Sequence, residues 1–180
     1  IVVSLVIERI AYRPLRNAPR LAPLITAIGV SITIETLAMI VWGRNYLTFP
    51  ALLPSDPIAV GGATITVTKI IVIALSALIM VGLMLLVNRT KLGRAMRATA
   101  ENPRVAGLMG VNPNYVIAVT FAIGAALAAV AGVMIAATYS VAHFYMGFIP
   151  GLKAFTAAVL GGIGNIPGAM VGGVLLGLIE

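Results

Sequence analysis

Four stretches of this chain are too apolar and too long for a water-soluble fold: Leu21 to Gly43, Ile70 to Val87, Tyr115 to Ala142 and Ala154 to Ile179. A helix needs about 20 mostly apolar residues, each rising about 1.5 Å, to cross the hydrocarbon layer of a membrane. The second window holds twelve Leu, Ile and Val residues, worth roughly −4 to −7 kcal/mol of insertion free energy. The first holds ten but also Glu35, which offsets roughly 2.5–3.5 kcal/mol if it stays charged. That helix is better inserted beside others. Residues 1–7 read as the end of a fifth span. Composition agrees: 61% of residues are hydrophobic and 9% charged, against about 45–50% and 25% in soluble domains. A soluble globular domain and a disordered chain are both excluded.

The basic residues sort by loop. Arg9, Arg13, Arg16, Arg20, Arg89, Lys91, Arg94, Arg97 and Arg104 fall on one side, and Arg44, Lys69 and Lys153 on the other. The positive-inside rule makes the first side cytoplasmic, so the net charge of +7 reports topology rather than a nucleic-acid partner. On the opposite side, Gly61-Gly62 followed by Thr64, Ile65, Thr66, Val67 and Thr68 alternates as a small hairpin does. The expected fold class is an all-α polytopic integral membrane protein. It has about four transmembrane segments, the last interrupted by Gly and Pro, and a small extracytoplasmic β-hairpin. Residues 1–180 form a single transmembrane domain, with a cytoplasmic loop over 88–114. The chain opens on Ile1 in an apolar run and closes on Glu180 without a polar tail, so it reads as an internal piece of a longer protein.

Enzyme chemistry finds no footing. There is one histidine, His143, and no cysteine, which leaves no His pair or thiolate for a metal. Gly161-Gly-Ile-Gly164 runs into Asn165-Ile-Pro167 without the Lys-Ser/Thr of a phosphate-binding loop. We expect no catalytic residues, no metal and no cofactor.

The loop 88–114 is patterned rather than loose. Lys91 to Ala100 is rich in helix formers, Asn102-Pro103 and Asn112-Pro113 are cap-and-proline starts, and Gly110 marks a helix end. Ala98, Ala100, Ala106 and Gly107 beside Leu108, Met109 and Val111 leave an apolar surface on the wet side. Such a surface calls for a protein to cover it, or lies on lipid as an amphipathic element.

Gly93-Arg-Ala-x-Arg-Ala-x-Ala-Glu-Asn-Pro103, followed by Ala106-x-Leu-x-Gly-Val-Asn112, resembles the ATPase-docking loop of the LivH-type permeases of branched-chain amino-acid ABC importers. Ile7-Glu-Arg-x-Ala-Tyr-Arg-Pro-Leu-Arg16 and Gly151 to Met170 resemble the same family. The resemblance implies an inner-membrane, multi-pass permease subunit. Its partners would be a homologous permease, two cytoplasmic ATPases and a periplasmic amino-acid-binding protein. It also implies a coupling role for Arg94, Arg97, Ala98, Glu101, Ala106, Leu108 and Gly110.

Physical reasoning adds pathway candidates. Gly161, Gly164 and Pro167 break the last window, and lipid cannot satisfy the backbone groups that such a break frees. Asn165 lies inside the break and Thr156 lies before it. Broken helices line substrate paths in many transporters. Gly164, Gly168 and Gly172, Gly173 and Gly177, and Gly124, Ala128 and Gly132 recur at four-residue spacing, as close helix contacts require. Glu35 is the one carboxylate inside a span; it is a functional candidate, or a packing device bonded to Thr33, Thr36 or a neighbouring helix. Two readings stay open: an ATP-driven permease, and a self-contained secondary carrier or channel with Glu35 as its coupling group.

Overall fold

The computed structural model describes residues 1–17, 19, 22–50, 57–60, 63–162 and 164–179. Helix α1 (Val2–Ile7) continues through a π-helical turn, Glu8–Tyr12, where the Arg13 amide donates to the Glu8 carbonyl at 2.8 Å. A short 3-10 turn, Pro14–Asn17, follows. Next come α2 (Ala22–Trp42), β1 (Leu47–Thr48), β2 (Pro57–Val60), β3 (Ala63–Thr66) and α3 (Val67–Arg89). Then follow α4 (Lys91–Glu101), α5 (Pro103–Leu108), α6 (Pro113–Tyr139), β4 (Val141–Ala142), α7 (Phe148–Gly161) and α8 (Ile166–Ile179).

Helices α2, α3 and α6 have 21, 23 and 27 residues, or about 32, 35 and 41 Å at 1.5 Å per residue. Each clears the roughly 30 Å hydrocarbon thickness. Their apolar side chains point outward: Ile25, Ile40 and Val41 on α2 and Ile73 and Leu78 on α3 are all more than 65% exposed. A helix that is apolar all round belongs in lipid or among other membrane helices. The buried apolar residues among those described are small or short, namely Ala106, Val116, Ala136 and Ala157. Close backbone packing among helices asks for such residues.

The hairpin is present, with β2 and β3 antiparallel and Val60 opposite Ala63; Gly61 and Gly62 lie outside the described residues. It ends sooner than alternation suggests. Val67 and Thr68 are helical, because Thr66 turns the chain and α3 begins three residues before the apolar window does. A second, shorter ladder pairs β1 with β4, Leu47 opposite Ala142, and ties the end of α2 to the end of α6.

The last window is interrupted where its Gly and Pro residues are expected to break it, and the structure adds what becomes of the two halves. Helices α7 and α8 have 14 residues each, about 21 Å, too short to cross singly. They fold back on each other. Gly161 lies against Gly168 and Ala157 against Gly172, a pairing that runs forward in one helix and backward in the other, as an antiparallel hairpin requires. A Cβ added at Gly161 would collide with the Gly168 carbonyl, and one at Gly172 would come within 2.6 Å of the Ala157 carbonyl oxygen. The expected glycine stripe on α6 is not used in this way, since Gly124 and Gly132 face open space, as does Gly177 on α8.

The orientation of the basic loops is open to direct test. In a chain without cysteine, we expect Asn45→Cys to react with an impermeant thiol reagent in whole cells and Ala100→Cys to react only after permeabilisation. Both side chains are exposed, whereas Thr99, one residue away, is buried. The reverse labelling pattern would invert the topology.

Candidate functional site

The loop between α3 and α6 is built from three consecutive caps. Thr90 is extended, ends α3 and starts α4, and its Oγ1 accepts from the Gly93 amide at 3.0 Å. Asn102 Oδ1 accepts from the Arg104 and Val105 amides at 3.1 and 3.2 Å, with Pro103 in the first helical position. Asn112 Oδ1 does the same for the Asn114 and Tyr115 amides at the start of α6. Each such cap is worth about 0.5–2 kcal/mol relative to alanine. Gly110, at φ +84°, closes α5: its amide donates to Gly107, and the Val111 amide reaches the Ala106 carbonyl at 3.0 Å. This double bond pattern around a left-handed residue is the Schellman end of a helix. The loop is therefore a rigid helix pair.

Its residues divide by exposure. Arg94, Arg97, Ala98, Glu101, Leu108 and Gly110 are exposed. Leu108 and Met109 are 88% and 81% exposed and form an apolar tip. Ala106 is 3% exposed, so it packs inside the loop and is unavailable to a partner. Thr99 is buried too, with a hydroxyl that has no hydrogen-bond partner among the described residues. Arg97 is committed within the chain, because its guanidinium donates to the Val87 carbonyl and to Asn88 Oδ1 at the end of α3.

The pathway candidates form two separate groups. In the hairpin, Gly162 and Gly164 adopt φ +89° and +93° between α7 and α8, a region open to glycine at little cost. Asn165 Oδ1 accepts from the Gly168 amide at 3.3 Å, so its amide side chain satisfies a donor freed by the break. Gly161 and Pro167 line an apolar groove of about 600 Å³ with Val171 and Leu175. Thr156 turns its hydroxyl to the Lys153 carbonyl at 2.8 Å.

Glu35 belongs elsewhere. Its carboxylate accepts from Ser31 Oγ at 3.2 Å, one turn back on α2. Thr33 and Thr36 donate instead to the Gly29 and Ile32 carbonyls, both at 2.8 Å. The expected threonine partners fail because residues one and two positions away point off the carboxylate's face, while a residue four away shares it. Ser31 lines an apolar cleft of about 370 Å³ between α2 and α7, with Leu24, Ile28, Phe148, Leu152 and Phe155. Among the described residues, no cluster of three His, Asp or Glu side chains could hold a metal.

Three spanning helices, a capped amphipathic helix pair and a glycine-welded hairpin occur here in one order. The family described as branched-chain amino acid transport system / permease component matches residues 1–180. The chain belongs to this family. It is 49% identical over 178 residues to the high-affinity branched-chain amino acid transport system permease protein BraD of Pseudomonas aeruginosa. It is 46% identical to the permease proteins LivH of Salmonella typhimurium and Escherichia coli. Each comparison covers 97% of this chain and 58% of the relative, so the chain spans less than two thirds of these permeases. No solved structure matches.

Residue-by-residue reading of the loop found the Asn102 and Asn112 caps and the Gly110 helix end but missed the Thr90 cap, and three features further off. These are the Arg97 bonds to α3, the Ser31 partner of Glu35, and an aromatic cluster at the far end. In that cluster the Tyr46 and His143 rings stack at 4.5 Å and those of Tyr145 and Phe148 at 4.9 Å. Ser31 could have been found, since it lies one helical turn from Glu35. The ring cluster joins segments almost 100 residues apart and carried no local signal.

Asn165 gives a sharp test of the break. Asn165→Asp keeps the capping oxygen and Asn165→Leu removes it. If the break lines the path of the transport proposed below, then with assembly normalised to protein recovered from membranes we expect leucine uptake by the full-length Asn165→Leu protein to fall about ten-fold or more, the equivalent of roughly 1.4 kcal/mol. Asn165→Asp should lose much less. Normal uptake by the Leu variant would reduce the break to a packing feature.

Proposed function

We propose that the chain is the membrane-spanning part of an ATP-driven importer that passes branched-chain and similarly apolar amino acids across the cell inner membrane. Its partners are a homologous permease subunit, two cytoplasmic ATPase subunits and a periplasmic amino-acid-binding protein. The observation that carries this reading is the α4–α5 pair, whose capped backbone leaves Leu108 and Met109 uncovered by the chain, at 88% and 81% exposure. Nothing within the loop needs that apolar tip. Seating it in a partner's cleft would stabilise the complex by about 1.5–3 kcal/mol per side chain.

Family membership supports the substrate class, and the apolar cleft between α2 and α7 suits a solute with an aliphatic side chain. Glu35 is held by a serine on its own helix and acts as an orienting group in this reading. A proton-coupled carrier would need a relay of ionisable groups through the span.

Full-length protein reconstituted with its partner subunits, and assayed for radiolabelled leucine uptake, separates the two mechanisms. Uptake should require ATP and the ATPase subunits, and a proton gradient alone should drive none. Gradient-driven uptake without ATPases, lost in Glu35→Gln, would establish the carrier instead.

A further inference from the structure

We infer that Arg97 is a positioning residue that locks α4 to α3, so that a push on the loop moves α3 as one body with it. The inference rests on the proposed docking of ATPases to α4–α5 and names how the force leaves that contact.

A single residue, Thr90, separates the two helices. A one-residue corner by itself is a hinge. Here it is braced at a second point seven residues further on. At the corner, the Thr90 amide and Oγ1 both donate to the Leu86 carbonyl, at 3.3 and 2.6 Å. One turn into α4, Gly93 lies so close that an added Cβ would collide with the Val87 carbonyl. Another turn on, the Arg97 guanidinium donates to the Val87 carbonyl and to Asn88 Oδ1. Gly93 and Arg97 are four residues apart and share a face of α4, so both act on the last turn of α3.

The end of a helix exposes unpaired carbonyls and the negative end of its dipole. A guanidinium there forms charge-assisted bonds, and its planar fork engages two acceptors at once. The angle between α3 and α4 therefore cannot open without breaking the Arg97 bonds. Helix α3 spans the whole membrane thickness and touches both α6 and α8, so its displacement reaches the broken hairpin directly.

The test uses the intact reconstituted complex, with hydrolysis and leucine uptake measured in the same vesicles. In Arg97→Ala we expect uptake per ATP hydrolysed to fall about ten-fold, within the usual range of site-to-site coupling. Arg97→Lys, which keeps the charge but not the fork, should recover part of it. Spin labels at Leu78→Cys on α3 and Ala100→Cys on α4 should give one narrow distance distribution with and without ATP, and Arg97→Ala should broaden it.

Uptake and hydrolysis falling together in proportion to complex recovered would make Arg97 merely structural and overturn the inference, as would an unchanged ratio or an unbroadened distance. If Leu108→Asp uncouples while Arg97→Ala does not, the brace alone fails. If neither uncouples, the docking assignment fails with it.

Discussion

Gly161→Val and Gly168→Val are each expected to remove nearly all assembled permease from the membrane. At these positions the two helix backbones touch, and an added Cβ at either would collide with the main chain of the opposite helix. A flexible side chain can step aside; a backbone carbonyl inside a helix cannot, short of parting the hairpin. Overpacking of this kind costs about 3 kcal/mol or more, roughly a hundred-fold in the population of the native packing. Gly173→Ala is the control, because its Cβ would meet the Ala157 Cβ at an ordinary 3.9 Å. Detergent-extracted protein measured by fluorescence-detected size exclusion reports both. Recovery of Gly161→Val at the level of Gly173→Ala would refute the hairpin contact.

If α4–α5 docks an ATPase as proposed, Leu108→Asp should leave the permease assembled and sever substrate from hydrolysis. The side chain is 88% exposed, so the permease itself loses almost no burial. In a docked complex, by contrast, the same change removes an apolar anchor and places an unpaired carboxylate in a dry contact. The two effects together cost more than about 3 kcal/mol. Substrate-stimulated ATP hydrolysis in proteoliposomes should then fall by more than about ten-fold. Gly110→Val should act in the same direction for another reason. Gly110 sits at φ +84°, a conformation that costs a β-branched residue at least about 1–2 kcal/mol and would tilt the tip. Undiminished stimulation in both variants would overturn the proposed ATPase contact at α4–α5.

Most of the loop between α3 and α6 was legible, because capping is local chemistry. Asn102 and Asn112 each bond amides two or three positions away, and a spacing that short is visible in the chain itself; the Thr90 cap of α4 has the same short reach but carries no proline to mark it. The spans were legible for a similar reason, since insertion depends on the summed hydropathy of one contiguous stretch. Less was legible about the surroundings of the pathway candidates. Glu35 stood out as a lone carboxylate, but its partner depended on helical phase, and the threonines that attracted attention were already bonded to their own backbone.

Local order therefore decided the class of this protein: three membrane-length helices, a small hairpin and a structured loop on the basic side follow from hydropathy, charge placement and caps. Glycine spacing alone did not decide which helices touch. The same four-residue recurrence appears on α6, where Gly124 and Gly132 face open space, and on α8, where Gly168 and Gly172 lie against Gly161 and Ala157 of α7. Only the tertiary structure separates them, because a missing side chain permits close approach without saying what approaches. The same holds for Arg97. In the sequence it marked topology as one of nine basic residues on its side, with a coupling role implied by resemblance, and only the return of α4 over the end of α3 shows it as a brace.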